Sequence, residues 1–240
     1  MTLEQILFSQ GFGARKLCRL LIARGAVEVQ GMARTDPASD WDVSAASTGE
    51  DAFLYCVDGV LWQYQITAYL MLHKPTDYEC SQKPKSHPSV YGLLPAPLRT
   101  REVQSVGRLD HDTTGLLLFS DDGQFIHRTT SPKHEVPKVY EVATSEAVTA
   151  EQITRLLAGV VLDDSAKPVR ALAAELTATG VQLTLASGKY HQVKRMLAAV
   201  DNHVKRLHRS QIGQLRLPKD LALAEWRWLT PLELQLAGTA

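Results

Sequence analysis

The chain has few cysteines, no long apolar run and no net charge. Cys18, Cys56 and Cys80 are far apart and odd in number among 240 residues. That pattern argues against a disulfide framework or a cysteine-based zinc site and points to a reducing compartment. No stretch approaches the roughly 18 apolar residues of a membrane span. The start, Met1 to Gln10, has no basic segment followed by an apolar one, so the sequence reads as a soluble cytoplasmic protein without a membrane partner. Lysine plus arginine total 26 and aspartate plus glutamate total 26, so net charge alone predicts no polyanionic partner. There is no internal repeat. Hydrophobic residues make up 45% of the chain, which supports one large domain, or a large and a small one.

Charge is unevenly placed. Residues 1–35 carry five bases (Arg15, Lys16, Arg19, Arg24, Arg34) against two acids, and residues 36–58 carry six acids and no lysine or arginine. Residues 185–216 carry seven bases (Lys189, Lys194, Arg195, Lys205, Arg206, Arg209, Arg216) against Asp201 alone. Such blocks make basic faces that can meet phosphate, or simply solvated surface. Leu3, Ile6 and Leu7 fall on one helical face, and Gly11-Phe12-Gly13 ends that helix. A second helix is predicted over about Ala14 to Arg24, with Leu17, Leu20 and Leu21 on its apolar side and Arg15, Lys16 and Arg19 opposite. Ala26 to Gly31 reads as a strand into a tight turn. The acidic stretch to about Asp58 shows no apolar periodicity and reads as a linker closing a small domain, residues 1–60. A larger domain, residues 66–240, follows, with the boundary between Gly59 and Tyr69.

In the larger region Tyr69 to Leu72 and Leu116 to Ser120 read as buried strands, Tyr140 to Ala143 as a strand, and Val181, Leu183 and Leu185 as the buried side of another. A helix is expected over Gln124 to Thr130, and Thr149 with Gln152 marks a capped one. After Gly188 a helix sets Val193, Met196, Leu197 and Val200 on one face and His191, Lys194 and Arg195 on the other. Thr230-Pro231-Leu232-Glu233 combines N-cap, N1 proline and N3 acid, predicting a final helix. Strands outnumber helices and their connections are short. The expected class is α+β, a mixed, mainly antiparallel sheet flanked by helices, beside a small α-β domain.

The stretch with the most chemistry is Val106-Gly107-Arg108-Leu109-Asp110-His111-Asp112-Thr113-Thr114-Gly115, directly before a strand. One explanation is a turn whose aspartates bond their own backbone. A second is the Asp-x-Asp-x-Thr pattern of magnesium-dependent aspartyl phosphotransferases, which Gly107 and Arg108 fit poorly because apolar residues belong there. A third rests on resemblance. Gly-Arg-Leu-Asp with the following Asp112, Thr113, Gly115 and Leu116 resembles the catalytic motif of the pseudouridine synthases. Lys138-Val139-Tyr140 resembles their Lys-x-Tyr strand, and Gly188 to Met196 their Gly-Arg-x-x-Gln-Val-(Lys/Arg)-Arg-Met segment. Met71-Leu72-His73-Lys74-Pro75 resembles their Leu-Asn-Lys-Pro opening strand. The two small helices and hairpin, with Ala14-Arg15 and Val29-Gln30-Gly31, resemble the RNA-binding domain of ribosomal small-subunit protein four, without its usual basic opening.

The resemblance implies Asp110 as nucleophile, Tyr140 as a platform for the extruded base and Arg195 as the cation pairing with Asp110, with Asp112 outside that pair. It implies RNA contacts from Arg15, Lys16, Arg19, Arg108, Lys138, Lys189, Gln192, Lys194, Lys205, Arg206 and Arg209. No cofactor and no metal is expected, since no His-x3-His or paired cysteine accompanies His111 and His191. Ser187 departs from the glutamate usual before the glycine in the ribosomal members. The implied activity is isomerisation of a uridine of 16S rRNA by a monomer, on free RNA or in a partly assembled small subunit. A 23S rRNA synthase, the phosphotransferase and a non-catalytic RNA-binding assembly factor remain as alternatives.

Overall fold

The computed structural model describes residues 1–43, 52–163 and 165–238, with the side chains of residues 165 and 166 left aside. The chain forms two compact units, one of residues 1–68 with 94–104, the other of residues 69–93 with 105–240.

In the first unit, α1 (Leu3–Ser9) and α2 (Arg15–Ala23) accompany four short strands, β1 (Val27–Val29), β2 (Met32–Arg34), β3 (Leu54–Val57) and β4 (Val60–Gln63), and α3 (Ala96–Thr100) comes from later in the chain. The strands pair antiparallel in the order β2-β1-β3-β4. Thr2 and Gln5 close a reciprocal capping box that starts α1, satisfying N–H groups that have no partner inside the helix. Leu3, Ile6, Leu7, Cys18, Ile22, Val27, Val29 and Tyr55 form the core.

Two expectations for this unit are corrected. The core stripe of α2 is Cys18 and Ile22 with Leu21 partly buried against it, while Leu17 and Leu20 are 48% and 56% exposed, so the helix is rotated from the expected orientation. The first-turn positions that pack are set by the Gly11–Gly13 turn, whose glycines at φ +85° and +110° aim the helix. The acidic stretch is also not linker to its end. Leu54–Val57 is an inner strand whose Tyr55 and Val57 are buried, and the Ser44–Gly49 part of that linker lies outside the described residues.

The remaining elements are β5 (Tyr69–Lys74), β6 (Gln104–Ser105), β7 (Thr113–Ser120), α4 (Gly123–Thr130), β8 (Lys138–Thr144), α5 (Ala150–Ala158), β9 (Val160–Leu162), β10 (Ser165–Val169), β11 (Ala173–Thr177), β12 (Gly180–Leu185), α6 (Gln192–Ala198), β13 (Val204–Ile212), β14 (Leu215–Arg216), β15 (Trp226–Trp228) and α7 (Pro231–Ala237). The sheet of the second unit runs β11-β12-β8-β13-β7-β5-β15. Its pairs are antiparallel except β13 with β7, so the α+β expectation holds. Leu116 and Leu118 of β7 pack with Phe125 of α4 and Ala237 of α7, and Tyr91 meets Phe119 edge-on at 5.4 Å. Both faces of β7 are therefore covered, as its nearly continuous apolar sequence requires. The final helix begins with the Thr230–Glu233 capping box and Pro231 in its first turn.

The parallel β7–β13 pair positions the site. Leu207, His208 and Arg209 stand opposite Thr113, Thr114 and Gly115, so the segments leading into both strands approach from one end of the sheet. A Cβ at Gly115, whose φ is +115°, would collide with the Arg209 main chain, so only glycine permits this close approach.

Candidate active site

Asp110 sits in the loop that enters β7, and that loop is fastened from below by a buried lysine. Lys74 ends β5, opposite Gly115 in the ladder, and its side chain is fully buried. Its Nζ donates to the carbonyl oxygens of Pro75 (2.9 Å), Thr113 (3.0 Å), Asp110 (3.1 Å) and His111 (3.2 Å). Burial holds the ammonium below the usual lysine range, partly offset by nearby Cys80, Asp112, Asp110 and Asp77. The carbonyl cage satisfies the charge, and in exchange the ammonium fixes the main chain of residues 110–113. The 113 N–H closes the turn onto the Asp110 carbonyl at 3.1 Å. The Met71–Pro75 motif alone does not reveal this role of Lys74, because its partners are main-chain carbonyls.

Above this cage the two carboxylates differ. Asp110 is partly buried, with His191 Nε2 at 3.5 Å and Lys194 Nζ at 3.7 Å. Asp112 is exposed, and both its oxygens accept from Lys194 Nζ at 2.7 Å. Burial opposes ionisation of Asp112, but the Lys194 hydrogen bond and charge outweigh it and leave the carboxyl below its ordinary value.

The expected Asp110–Arg195 pair is thereby corrected: the cation that faces Asp110 is Lys194, with the His191 ring on its other side. The cause is the phase of α6. His191 caps the helix in the left-handed region, φ +49°. Positions 191 and 194, three apart, share the face toward Asp110. Arg195 lies a further 100° round the helix, with its Nε and Nη2 buried. Lys194, expected to meet only phosphate, is the cation linking Asp110 and Asp112.

A cavity of about 590 Å³ opens beside Asp110, and its walls include Tyr140, Arg209, Lys138, Arg108 and Lys189. Tyr140 is buried on β8 and stands opposite Arg209 of β13 in the ladder. Lys138 and Tyr140, two residues apart, share a face of the strand. The structure thus brings Asp110 and Tyr140 to one cavity, whereas Arg195, Lys194, Lys205 and Arg206 do not line it.

The expected RNA contacts divide into exposed and committed side chains. Arg108, Lys189, Lys205 and Arg206 are exposed. Lys138 is buried, and its Nζ donates to the Val136 and Thr129 carbonyls at 2.7 and 3.0 Å. Burial, with a smaller contribution from the Arg209 charge, brings its pKa down to about 8. Gln192 is buried too, its Oε1 accepting from the Lys189 N–H (2.8 Å) and the Ser187 hydroxyl (3.0 Å), so it pins the loop before α6. Arg209 is buried, its Nε donating to the Leu116 carbonyl at 2.9 Å, while Nη2 makes no hydrogen bond among the described residues. Lys138 and Arg209, on the central strands β8 and β13, and Gln192, at the start of α6, are therefore interior groups on the cavity wall, not surface phosphate contacts. In α2, Arg15 (3.0 Å) and Arg19 both bond the Glu4 carboxylate, and Lys16 is exposed without such a partner among the described residues.

The far rim is shaped by Glu79. Its carboxylate accepts from the main-chain N–H groups of residues 86 (2.8 Å), 87 (2.9 Å) and 85 (3.0 Å), which lower its pKa to about 2. Sequence reasoning missed it, since nothing local marks an acid that folds its own loop.

A family model for RNA pseudouridylate synthase matches residues 68–199. Ribosomal small subunit pseudouridine synthase A of Escherichia coli (strain K12) is 46% identical over 169 residues, 69% of this chain and 72% of that protein. The protein of the same name from Pasteurella multocida (strain Pm70) is 42% identical over 167 residues, 69% of this chain and 72% of its own length. A crystal structure of a pseudouridylate synthase superposes with a TM-score of 0.68 at 31% identity, covering 99% of both chains. The chain belongs to the RNA pseudouridylate synthase family. Within that family it is similar to the enzymes named for the ribosomal small subunit.

Proposed function

We propose that the protein converts one uridine of 16S rRNA to pseudouridine with Asp110 as nucleophile. The observation that carries this reading is the placement of Asp110 on a backbone held by the Lys74 ammonium, at the wall of a cavity that also holds buried Tyr140. The reaction breaks the glycosidic C–N bond, turns the base and joins it to the sugar through carbon, with a proton leaving that carbon and one returning to nitrogen. It requires a nucleophile that adds to base or sugar, a flat surface that retains the freed base, and cations that favour the ionised carboxylate. Asp110 supplies the first, Tyr140 the second, and the Lys194 ammonium the third, with the His191 ring beside it. Arg209 offers its remaining N–H to a base oxygen in the cavity. The uridine must leave its stack to enter, at a cost of a few kcal/mol, offset by exposed Arg108, Lys189, Lys205 and Arg206 on phosphates.

The first unit, on this reading, is an RNA-binding domain like that of ribosomal small-subunit protein four. With Arg15 and Arg19 drawn to Glu4, its grip is modest and helps hold RNA without doing chemistry. The protein works as a cytoplasmic monomer on rRNA, free or in an assembling small subunit. Among the described residues no helix is long and apolar enough to cross a membrane. The phosphotransferase alternative is disfavoured by Lys194, whose ammonium lies between the carboxylates that such an enzyme uses for magnesium.

The test is incubation with unmodified 16S and 23S rRNA in EDTA, followed by mapping of pseudouridine. One modified position in 16S rRNA is expected. Modification of 23S rRNA alone overturns the substrate, and no modification of either overturns the activity.

A further inference from the structure

Asp77 and His87 come from the loop after β5 and His111 from the loop before β7, yet their Asp carboxylate and imidazole nitrogens gather within 4.8 Å of one another. Their main chains are held independently of the side chains. The 77 N–H donates to the His111 carbonyl at 2.8 Å, the 87 N–H to Glu79 at 2.9 Å, and the His111 carbonyl also accepts from Lys74. Asp77 adopts φ +64°, a conformation uncommon for a non-glycine residue. None of the three side chains makes a hydrogen bond or ion pair within the described residues, in contrast to Asp110 and Asp112, which face His191 and Lys194. Three donors with no hydrogen-bond or ion-pair partner among the described residues, on a fixed framework, make a ligand set.

We propose that Asp77, His87 and His111 bind a divalent cation of the zinc class at the rim of the cavity. Two imidazoles and one carboxylate suit Zn²⁺, Ni²⁺ or Cu²⁺ rather than Mg²⁺ or Ca²⁺, which take oxygen ligands. Water completes the shell, as in zinc sites with three protein ligands. The two rings now stack, centroids 4.2 Å apart and planes 11° from parallel, so their in-plane lone pairs run side by side. Binding turns the exposed His111 ring about its side-chain torsions until both nitrogens converge, which ends the stack. His87 and His111 both line the cavity, and His111 follows Asp110. The ion would therefore clasp the loop bearing Asp77 and His87 to the loop bearing the proposed nucleophile. The site carries none of the spacings that announce metal binding in a sequence, because its ligands are brought together only by the fold.

The experiment is titration of the full chain with zinc alone, after EDTA treatment and dialysis, at about pH 7.5, where imidazole is largely neutral. Calorimetry gives the affinity, and histidine ring resonances locate the ion. A single saturable site is expected, with the His87 and His111 resonances shifted. His87→Ala and His111→Ala should each weaken binding roughly tenfold or more. Asp77→Asn, which tolerates positive φ, should weaken it less, and His127→Ala should leave it unchanged. The proposal is overturned if the double variant of His87 and His111 binds zinc as tightly as the native chain. It is also overturned if zinc shifts only His127 and His134, an exposed pair elsewhere in this unit; that readout needs no variant to fold and no activity.

Discussion

Helix α2 and the loop before β7 are both charged and half-exposed, but they use charge in opposite ways. On α2 the arginines at 15 and 19 close on Glu4, so that most of the basic face is satisfied inside its own unit. In the loop, Lys74 is spent wholly on main-chain carbonyls, which holds Asp110 at the wall of a cavity. The difference teaches that a cation's partners decide its role. Ammonium on carbonyls builds a platform, guanidinium on a carboxylate mends a surface, and a cation over open space awaits a ligand.

The most severe break of this contrast is Asp110→Asn, which should abolish pseudouridine formation while the melting temperature and RNA affinity stay near native values. Lys74→Met comes next. It orphans several buried carbonyls, so a loss of about 3 kcal/mol in denaturant unfolding is expected, together with a large fall in turnover because the loop loses its anchor. Lys194→Met follows. An ammonium near 4 Å contributes on the order of 1–4 kcal/mol between bulk water and a protein surface, so single-turnover rates should fall roughly tenfold or more. Arg195→Met should cost less activity, the reverse of the order the sequence implied.

Acid sharpens the comparison from the far rim. The folded pKa of Glu79, about 2, lies below its ordinary 4.5. Its contribution is therefore fully present above about 4.5 and lost as pH falls toward about 2. Amide exchange at residues 85–87 should accelerate over that window, and in Glu79→Gln it should be fast at all pH. Smallest is Lys16→Ala on α2. It should weaken RNA binding slightly and reduce the slope of log affinity against log salt by roughly 0.7 to 0.9, with turnover at saturating RNA unchanged.

Much of this architecture was legible because its signals are local. The capping box at Thr230 and Glu233 is four consecutive residues with a fixed geometry, and the apolar run of β7 could only be buried. The phase of helices was harder to read. Leu17 and Leu20 looked like a core stripe, yet Cys18 and Ile22 pack inward, since leucine count does not say which face a glycine turn presents. The same limit exchanged Lys194 and Arg195, because the left-handed His191 that sets the start of α6 leaves no mark in residue type. Strand β13 was missed for another reason. Its Lys205, Arg206 and Arg209 read as surface charge, and only pairing on both sides, with β7 and β8, makes Arg209 interior. The Lys74 cage and the Glu79 loop depend on main-chain acceptors and donors, which every residue carries and no sequence distinguishes.

The central claim is that of two carboxylates two residues apart on one clamped loop, the one that faces the cavity does the chemistry. Single-turnover mapping of pseudouridine in unmodified 16S rRNA by Asp110→Asn and Asp112→Asn, beside the native chain, tests it most directly. The account predicts no product from Asp110→Asn and substantial product at the native position from Asp112→Asn. Product from Asp110→Asn, or silence from a folded, RNA-binding Asp112→Asn alone, would contradict it.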